Sequence, residues 1–253
     1  MQYLFAWRYF KSKKSTSAIN IIAWVSVTAI AVGAAALIVI LSVFNGFEDL
    51  VKGLYTDFYA DMRVLPAQGK RMDVSDSTLY TIKSIEGVAE VSKVIEEKAL
   101  LANGDYQSIV VVKGVDSVFT RTNHINKHIV RGDYALGDLQ NPGIVIGAGI
   151  ENAVGADVTK GGFPLTLYTP NKGAGFDAVD GMFAFNITAK GVFAVQQEFD
   201  NKFIFTNIDF LRYMLSMTPN QVSGLELKIN GRPEKIKAAI QHAIGKNFTV
   251  ETR

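Results

Sequence analysis

The sequence predicts an α+β protein held in a membrane by one N-terminal helix. Three observations carry that prediction: an uncharged run at residues 19–44, an amphipathic stretch directly after it, and about two hundred further residues in which strand and helix patterns alternate. As a helix, the uncharged run would be about 39 Å long at 1.5 Å per residue, enough to cross a hydrocarbon core of roughly 30 Å. Arg8, Lys11, Lys13 and Lys14 precede it, and no acidic residue occurs before Glu48. Basic flanks are retained on the cytoplasmic side, so residues 1–18 are expected inside and the bulk of the chain outside. A cleaved signal peptide is the competing reading, because Ala34-Ala35-Ala36 offers small residues. Its apolar core would span only about 7–15 residues, whereas Leu37-Ile38-Val39-Ile40-Leu41 continues beyond the alanines. A retained anchor is the expectation. Asn20, Trp24, Ser26 and Thr28 are mild polar interruptions that a spanning helix tolerates.

Residues 45–60 keep a helical rhythm. Phe44, Phe47, Leu50, Val51, Leu54, Tyr55 and Phe58 share one stripe, and Glu48, Asp49, Lys52 and Asp57 lie off it. Two readings fit: an amphipathic stalk continuing out of the membrane, or a helix lying flat in the interface. Gly46 and Gly53 weaken the helix locally and mark where a bend at the membrane surface is expected.

Beyond the stalk, residues 62–67 read as a strand and residues 75–85 as a helix capped by Ser75 or Asp76, with Leu79, Ile82 and Ile85 facing inward. Residues 88–101 and 107–115 read as strands joined at Asn103-Gly104, a hairpin signal. Near the C-terminus, a strand at 224–229, a helix at 233–244 with Pro233 in its first turn, and a strand at 247–251 form a second such unit. The two ends therefore read as halves of one split β-α-β layer, residues 61–115 and 221–253. Residues 116–220 read as an insertion. It holds a helical stretch near 118–128, a strand and helix at 143–154, strands at 163–168, 185–195 and 203–206, a helix at 208–214, and a glycine-rich loop at 170–181.

Composition narrows the function. After Phe44 the chain carries 22 basic and 24 acidic residues, a net charge of −2, so no nucleic-acid surface is expected. There is no cysteine, hence no disulfide framework, thiol nucleophile or thiolate metal site. Gly69-Lys70 and Gly245-Lys246 lack both the upstream glycine and the following Ser/Thr of a phosphate-binding loop. Gly147-Ala148-Gly149 has Asn152 where a dinucleotide fingerprint needs its third glycine, so a tight strand-to-helix turn is expected there. His124 and His128 stand four apart, but Ile125 replaces the glutamate of a zinc hydrolase and no third ligand is evident. The carboxylates are scattered. No catalytic residue, bound cofactor or metal is expected in this chain.

In order, these features resemble the MacB-like periplasmic core of ABC-transporter permeases, specifically the lipoprotein-releasing LolC/LolE type within the FtsX-like superfamily. The residues that carry the resemblance are Leu4-Phe5-Ala6-Trp7-Arg8-Tyr9 before the membrane and Ile40-Leu41-Ser42-Val43-Phe44-Asn45-Gly46-Phe47-Glu48 at its outer end. Val145-Ile146-Gly147 with Val154-Gly155, and Gly191-Val192-Phe193 with Phe203-Ile204-Phe205, extend it through the outer region.

The resemblance implies an inner-membrane chain whose outer region has a Porter-like layer with an inserted Sabre-like part, followed in the family by three further spans. It implies a non-enzymatic permease subunit. ATP and magnesium would be bound by a separate cytoplasmic ATPase, a second permease subunit would pair with this one, and lipoproteins would pass to a periplasmic carrier. An exporter of the MacB type, or an FtsX-like subunit controlling a cell-wall hydrolase, are the alternatives. Phe44, Phe47 and Val51 at the helix exit would line the way in for acyl chains; packing against other spans explains the same residues. The loop at 170–182 occupies the place of the family's carrier-capturing hook, with Lys172, Phe176, Val179 and Met182 as the docking residues, although it lacks the hook's proline- and arginine-rich character. An ordinary hairpin loop with Phe176 tucked against its base is the alternative there.

Overall fold

The computed structural model describes residues 8, 18–160, 162–170 and 182–252. The chain forms two units, Met1–Gly53 and Leu54–Arg253.

One helix, α1 (Ala18–Phe58, 41 residues), supplies the described part of the first unit and enters the second. The helix runs without interruption through Gly46 and Gly53. Each glycine costs only about 1 kcal/mol relative to alanine, and the apolar turns on either side absorb it. The membrane-crossing segment is Asn20–Glu48, and none of its residues is buried against protein. Two of its hydroxyls are satisfied internally: Ser26 donates to the Ile22 carbonyl and Thr28 to the Trp24 carbonyl, both at 2.8 Å. That satisfaction is what allows them in hydrocarbon.

The second unit begins with β1 (Met62–Pro66), β2 (Met72–Asp73) and α2 (Asp76–Lys83). Ser75 caps α2 by accepting from the Thr78 amide. Ile82 is fully buried, with Leu79 and Ile85 packed beside the same core, as the periodicity predicts. A long hairpin follows, β3 (Val88–Asn103) and β4 (Tyr106–Val115). Its two-residue loop is Gly104-Asp105, one position later than the sequence suggested, because Asn103 still pairs with Tyr106. Gly104 takes φ 57°, at the first loop position where a tight hairpin turn favours glycine.

The chain then runs through α3 (Phe119–Thr122), β5 (Ile129–Gly132), β6 (Gly143–Gly147), α4 (Ala148–Val154), β7 (Phe163–Pro170), β8 (Met182–Phe193), α5 (Gln197–Asp200), β9 (Phe203–Asn207) and α6 (Ile208–Met214). The helix expected near 118–128 is two pieces: α3, and a 3-10 turn at Ile125–His128. Asn123, extended at φ −142° and ψ −178°, separates them. His124 and His128 therefore do not share a helical face. The last elements are β10 (Gln221–Val222), β11 (Gly224–Ile229), α7 (Pro233–Ile244) and β12 (Phe248–Thr252).

Strands β12-β1-β11-β3 lie side by side, each pair antiparallel. With α2 and α7 as connections, this is the order of a split β-α-β layer. A core of Met62, Val64, Val91, Leu225, Leu227, Ile236 and Ile240 fills the space beneath the two helices.

From β3 the pairing continues through β4, β9, β6 and β8, and β7 joins β8 back to β3. Six strands therefore close a ring, with the β4–β9 and β6–β8 pairs parallel. Every strand of the ring contributes to one core, including Leu101, Val112, Ile146, Leu167, Ile187 and Ile204, covered by α4 and α6. The sixteen-residue β3 belongs to both arrangements.

Gly147 sits where β6 turns into α4. A Cβ there would lie 2.1 Å from the Asp200 carbonyl oxygen. The glycine is needed for close packing against α5, as the tight-turn reading implied.

Candidate functional site

Three features bear on function: the exposed apolar span, the β7–β8 hairpin, and a buried charged cluster beside the end of α1.

On the span, Phe44 and Phe47 each expose 64% of their surface. Three residues apart on a helix, they lie on one stripe. Val51 continues the stripe in sequence, but its side chain lies outside the described residues. Two neighbouring phenyl rings at the end of an apolar span suit contact with hydrocarbon, whether lipid tails, acyl chains or other helices.

On the hairpin, β7 and β8 pair from Phe163 opposite Ala189 to Pro170 opposite Met182. The two strands thus hold the ends of the 171–181 loop together. Lys172, Phe176 and Val179 lie outside the described residues. Met182, the first residue of β8, is 56% exposed, and Phe183 beside it 48%. The described end of this hairpin therefore presents apolar side chains to solvent.

Sequence reasoning missed the charged cluster. Arg63 on β1, Glu96 on β3, Lys113 on β4 and Glu226 on β11 share one face of the sheet, because Arg63 pairs with Glu226 and Glu96 with Lys113 in the register. Lys113 is 1% exposed and Glu226 is fully buried. The Lys113 ammonium donates to Glu226 Oε1 at 2.5 Å and stands 3.3 Å from Glu96 Oε1. Arg63 donates to Glu96 at 3.0 Å, and its Nε lies 3.6 Å from Glu226. Burial pushes the Glu96 carboxyl up, but the Lys113 and Arg63 charges outweigh burial and hold it below the ordinary carboxylate range. Two cations and two anions balance, so the cluster is a neutral knot.

Around the knot stands an aromatic shell. Phe58, the last residue of α1, is 1% exposed and stacks on Phe199, with ring centroids 4.0 Å apart and planes 7° from parallel. Phe203 and Phe205 pack against the same ring at 4.9 and 5.9 Å. The Lys113 ammonium lies 5.2 Å from the Phe119 ring centre and 5.9 Å from that of Phe58, within cation–π range. Tyr59 packs edge-on against Phe199, and burial raises its hydroxyl pKa. A signal for this cluster was present in the strands: Lys113 and Glu226 are charges standing inside apolar runs, Val110-Val111-Val112-Lys113-Gly114-Val115 and Leu225-Glu226-Leu227. The four charges of the knot are paired, while Glu226 Oε2 and Arg63 Nε are left without a hydrogen-bond partner; the knot ties together the four strands and the end of α1. Among the described residues, no group of three or more His, Asp or Glu side chains is placed to hold a metal.

An apolar span followed by a ferredoxin-like layer and a closed strand ring defines a membrane-anchored MacB-like domain, and comparison with known proteins agrees. The family profile of the MacB-like periplasmic core domain matches residues 23–243, so the chain belongs to that family. Among curated relatives, the lipoprotein-releasing system transmembrane protein LolC of Neisseria meningitidis is 28% identical over 241 residues, covering 88% of this chain and 52% of the relative. LolE of Haemophilus influenzae is 23% identical over 236 residues, covering 90% of this chain and 55% of the relative. The chain spans about half the length of these relatives. The periplasmic region of MacB from Actinobacillus actinomycetemcomitans shares the fold at a TM-score of 0.52 and 10% identity, over 76% of this chain and 87% of that one. The LolC/LolE-type resemblance read from the sequence therefore stands, as does the α+β fold. The chain is an inner-membrane protein with its bulk in the periplasm.

Proposed function

We propose that this chain is part of a non-enzymatic permease subunit in an ABC transporter that releases lipoproteins from the inner membrane toward a periplasmic carrier. One observation carries the reading: a span with no buried residue is joined directly to a MacB-like periplasmic core domain whose curated relatives are LolC and LolE. On this reading a cytoplasmic ATPase, holding ATP and magnesium, supplies the energy, and a second permease subunit faces this one across the lipoprotein.

The exposed pair Phe44 and Phe47, with Val51 next on the stripe, lines the portal through which acyl chains leave the bilayer. The physical reason is the cost of wetting an acyl chain, about 0.8 kcal/mol per CH₂. An apolar wall beside the exit keeps that cost from being incurred during transfer. The outer domain works as two parts, the split layer at 61–115 and 221–253 and the inserted part at 116–220, with β3 and β4 of the former completing the strand ring of the latter. The hairpin loop, through Lys172, Phe176, Val179 and Met182, receives the carrier.

The test is photo-crosslinking from Phe44 and Phe47 in the assembled transporter, using lipoprotein with labelled acyl chains. Adducts to the label from both positions, lost when the acyl chains are removed from the lipoprotein, are expected. Crosslinks only to other transmembrane helices would reject the portal.

A further inference from the structure

The outer edge of the split layer is covered by one side chain. Strand β12 ends the sheet: it pairs with β1 and with no other strand among the described ones. The Ala67 amide donates to the Asn247 carbonyl at 3.0 Å. Main-chain groups alternate along a strand, so Asn247, Thr249 and Glu251 turn theirs toward β1, and Phe248, Val250 and Thr252 turn theirs outward. Helix α7 supplies the cover. Its Gln241 accepts from the Val250 amide at 3.2 Å through Oε1 and donates to the Phe248 carbonyl at 2.8 Å through Nε2. Nε2 also donates to the Gly245 carbonyl at 2.7 Å. The side-chain amide thus takes two groups at the middle of the edge that an added strand would bond.

Local sequence builds this arrangement. Gln241 lies in the last turn of α7, and the Gly245 amide donates to its main-chain carbonyl at 3.1 Å. Gly245 takes φ 76°, a left-handed value that favours glycine where a helix ends. The chain reverses there and brings β12 back past Gln241. The strand itself carries little defence. Phe248-Thr249-Val250-Glu251-Thr252 is rich in strand-forming residues and holds neither proline nor lysine, the residues that commonly protect an edge. Two copies of β12 laid antiparallel about Val250 would set Glu251 opposite Thr249, so its charge would meet no like charge.

We infer that Gln241 shuts the β12 edge and so keeps it from pairing with the β12 edge of a second copy of this chain. With the amide in place, an incoming strand must displace the bonds to Phe248 and Val250 before it makes its own there. Without the amide, a donor and an acceptor stand unmet at the sheet margin. A second copy offers the same groups in reverse, the self-complementary contact that a two-fold pair requires, and strand addition at an exposed edge is a general mode of association. A cap on the helix end would need only the bond to Gly245; the two bonds to β12 are what close the edge. The inference is independent of lipoprotein release.

The test compares the wild type, Gln241→Met, and Gln241→Met combined with Thr252→Pro, each as the full chain in non-ionic detergent, by light scattering after size exclusion. Methionine keeps the length and helix propensity of glutamine and removes its amide; Gln241→Ala serves in its place if the methionine variant does not fold. Gln241→Met should add a concentration-dependent dimer to whatever association the wild type shows. Thr252→Pro removes an outward N–H, which an edge strand tolerates, and should abolish the added dimer. At low concentration, amide exchange at Val250 should quicken about fivefold in Gln241→Met, the worth of one hydrogen bond, with an unchanged circular dichroism spectrum. At high concentration it should slow again as the edges pair. Any of three results would overturn the inference: Val250 exchange that does not change, faster exchange with no added dimer, as a helix cap alone would give, or an added dimer that survives Thr252→Pro.

Discussion

Replacing Lys113 by methionine removes one charge from the buried knot and keeps most of the side chain's volume, so the cost is electrostatic rather than a cavity. Glu226, with no exposed surface, then keeps only the Arg63 Nε at 3.6 Å. Removing one partner of a buried pair costs about 3–5 kcal/mol, and the remaining Arg63 contact argues for the lower end, about 3 kcal/mol. With a urea m-value of about 2 kcal/mol/M, the unfolding midpoint of the periplasmic unit should fall by about 1.5 M. Far-UV circular dichroism of the full chain in micelles is the suitable readout, since both tryptophans, Trp7 and Trp24, precede that unit and are blind to its unfolding. Adding Glu226→Gln should recover most of the loss, because the uncompensated charge is gone. The pH dependence has a definite sign. Glu96 has a folded pKa below its unfolded one, so its contribution is complete above the unfolded value, about 4.3, and is lost as pH falls through the folded value. Lys113 is one of the two charges holding that pKa down, so the gap between wild type and variant should be widest at neutral pH and narrow below about pH 4. A midpoint shift under about 0.3 M at pH 7, or a gap that widens in acid, would refute the assignment of the knot as a stabilising, charge-compensated unit.

Phe58→Ala should destabilise the periplasmic unit by about 3–5 kcal/mol, because it empties a site that Phe199, Phe203 and Phe205 enclose; denaturant unfolding by circular dichroism checks it. Gly147→Ala should cost about 1–3 kcal/mol, since the added methyl meets the Asp200 carbonyl at 2.1 Å and α5 must shift. Faster hydrogen exchange at the Val195 amide, which donates to Asp200, should accompany that loss.

Elements with strong local signals were legible in the sequence. The bounds of α7 and α6 follow from periodicity and from Pro233 at the start of the former, and the apolar length of α1 gave the membrane span. Closure of the six-strand ring was not legible. It depends on β3 meeting β7 at Leu100–Ala102, a contact between residues about seventy apart that no local pattern encodes. The buried knot was missed for a related reason. Arg63, Glu96, Lys113 and Glu226 come from four strands, and charges on strands read as solvent-facing until the register sets them opposite one another. Helix α1 runs on through Gly46 and Gly53 because one or two glycines in a long apolar helix cost less than the helix gains around them. At the candidate portal, the stripe through Phe44 and Phe47 followed directly from helical spacing, and both side chains are exposed as that spacing requires.

The most direct test of the lipoprotein-release reading is depletion of the intact protein in its own cell, with outer-membrane lipoproteins followed by membrane fractionation over time. Release as proposed predicts that these lipoproteins accumulate in the inner membrane before general envelope damage begins. Normal lipoprotein sorting after the protein has gone would contradict it.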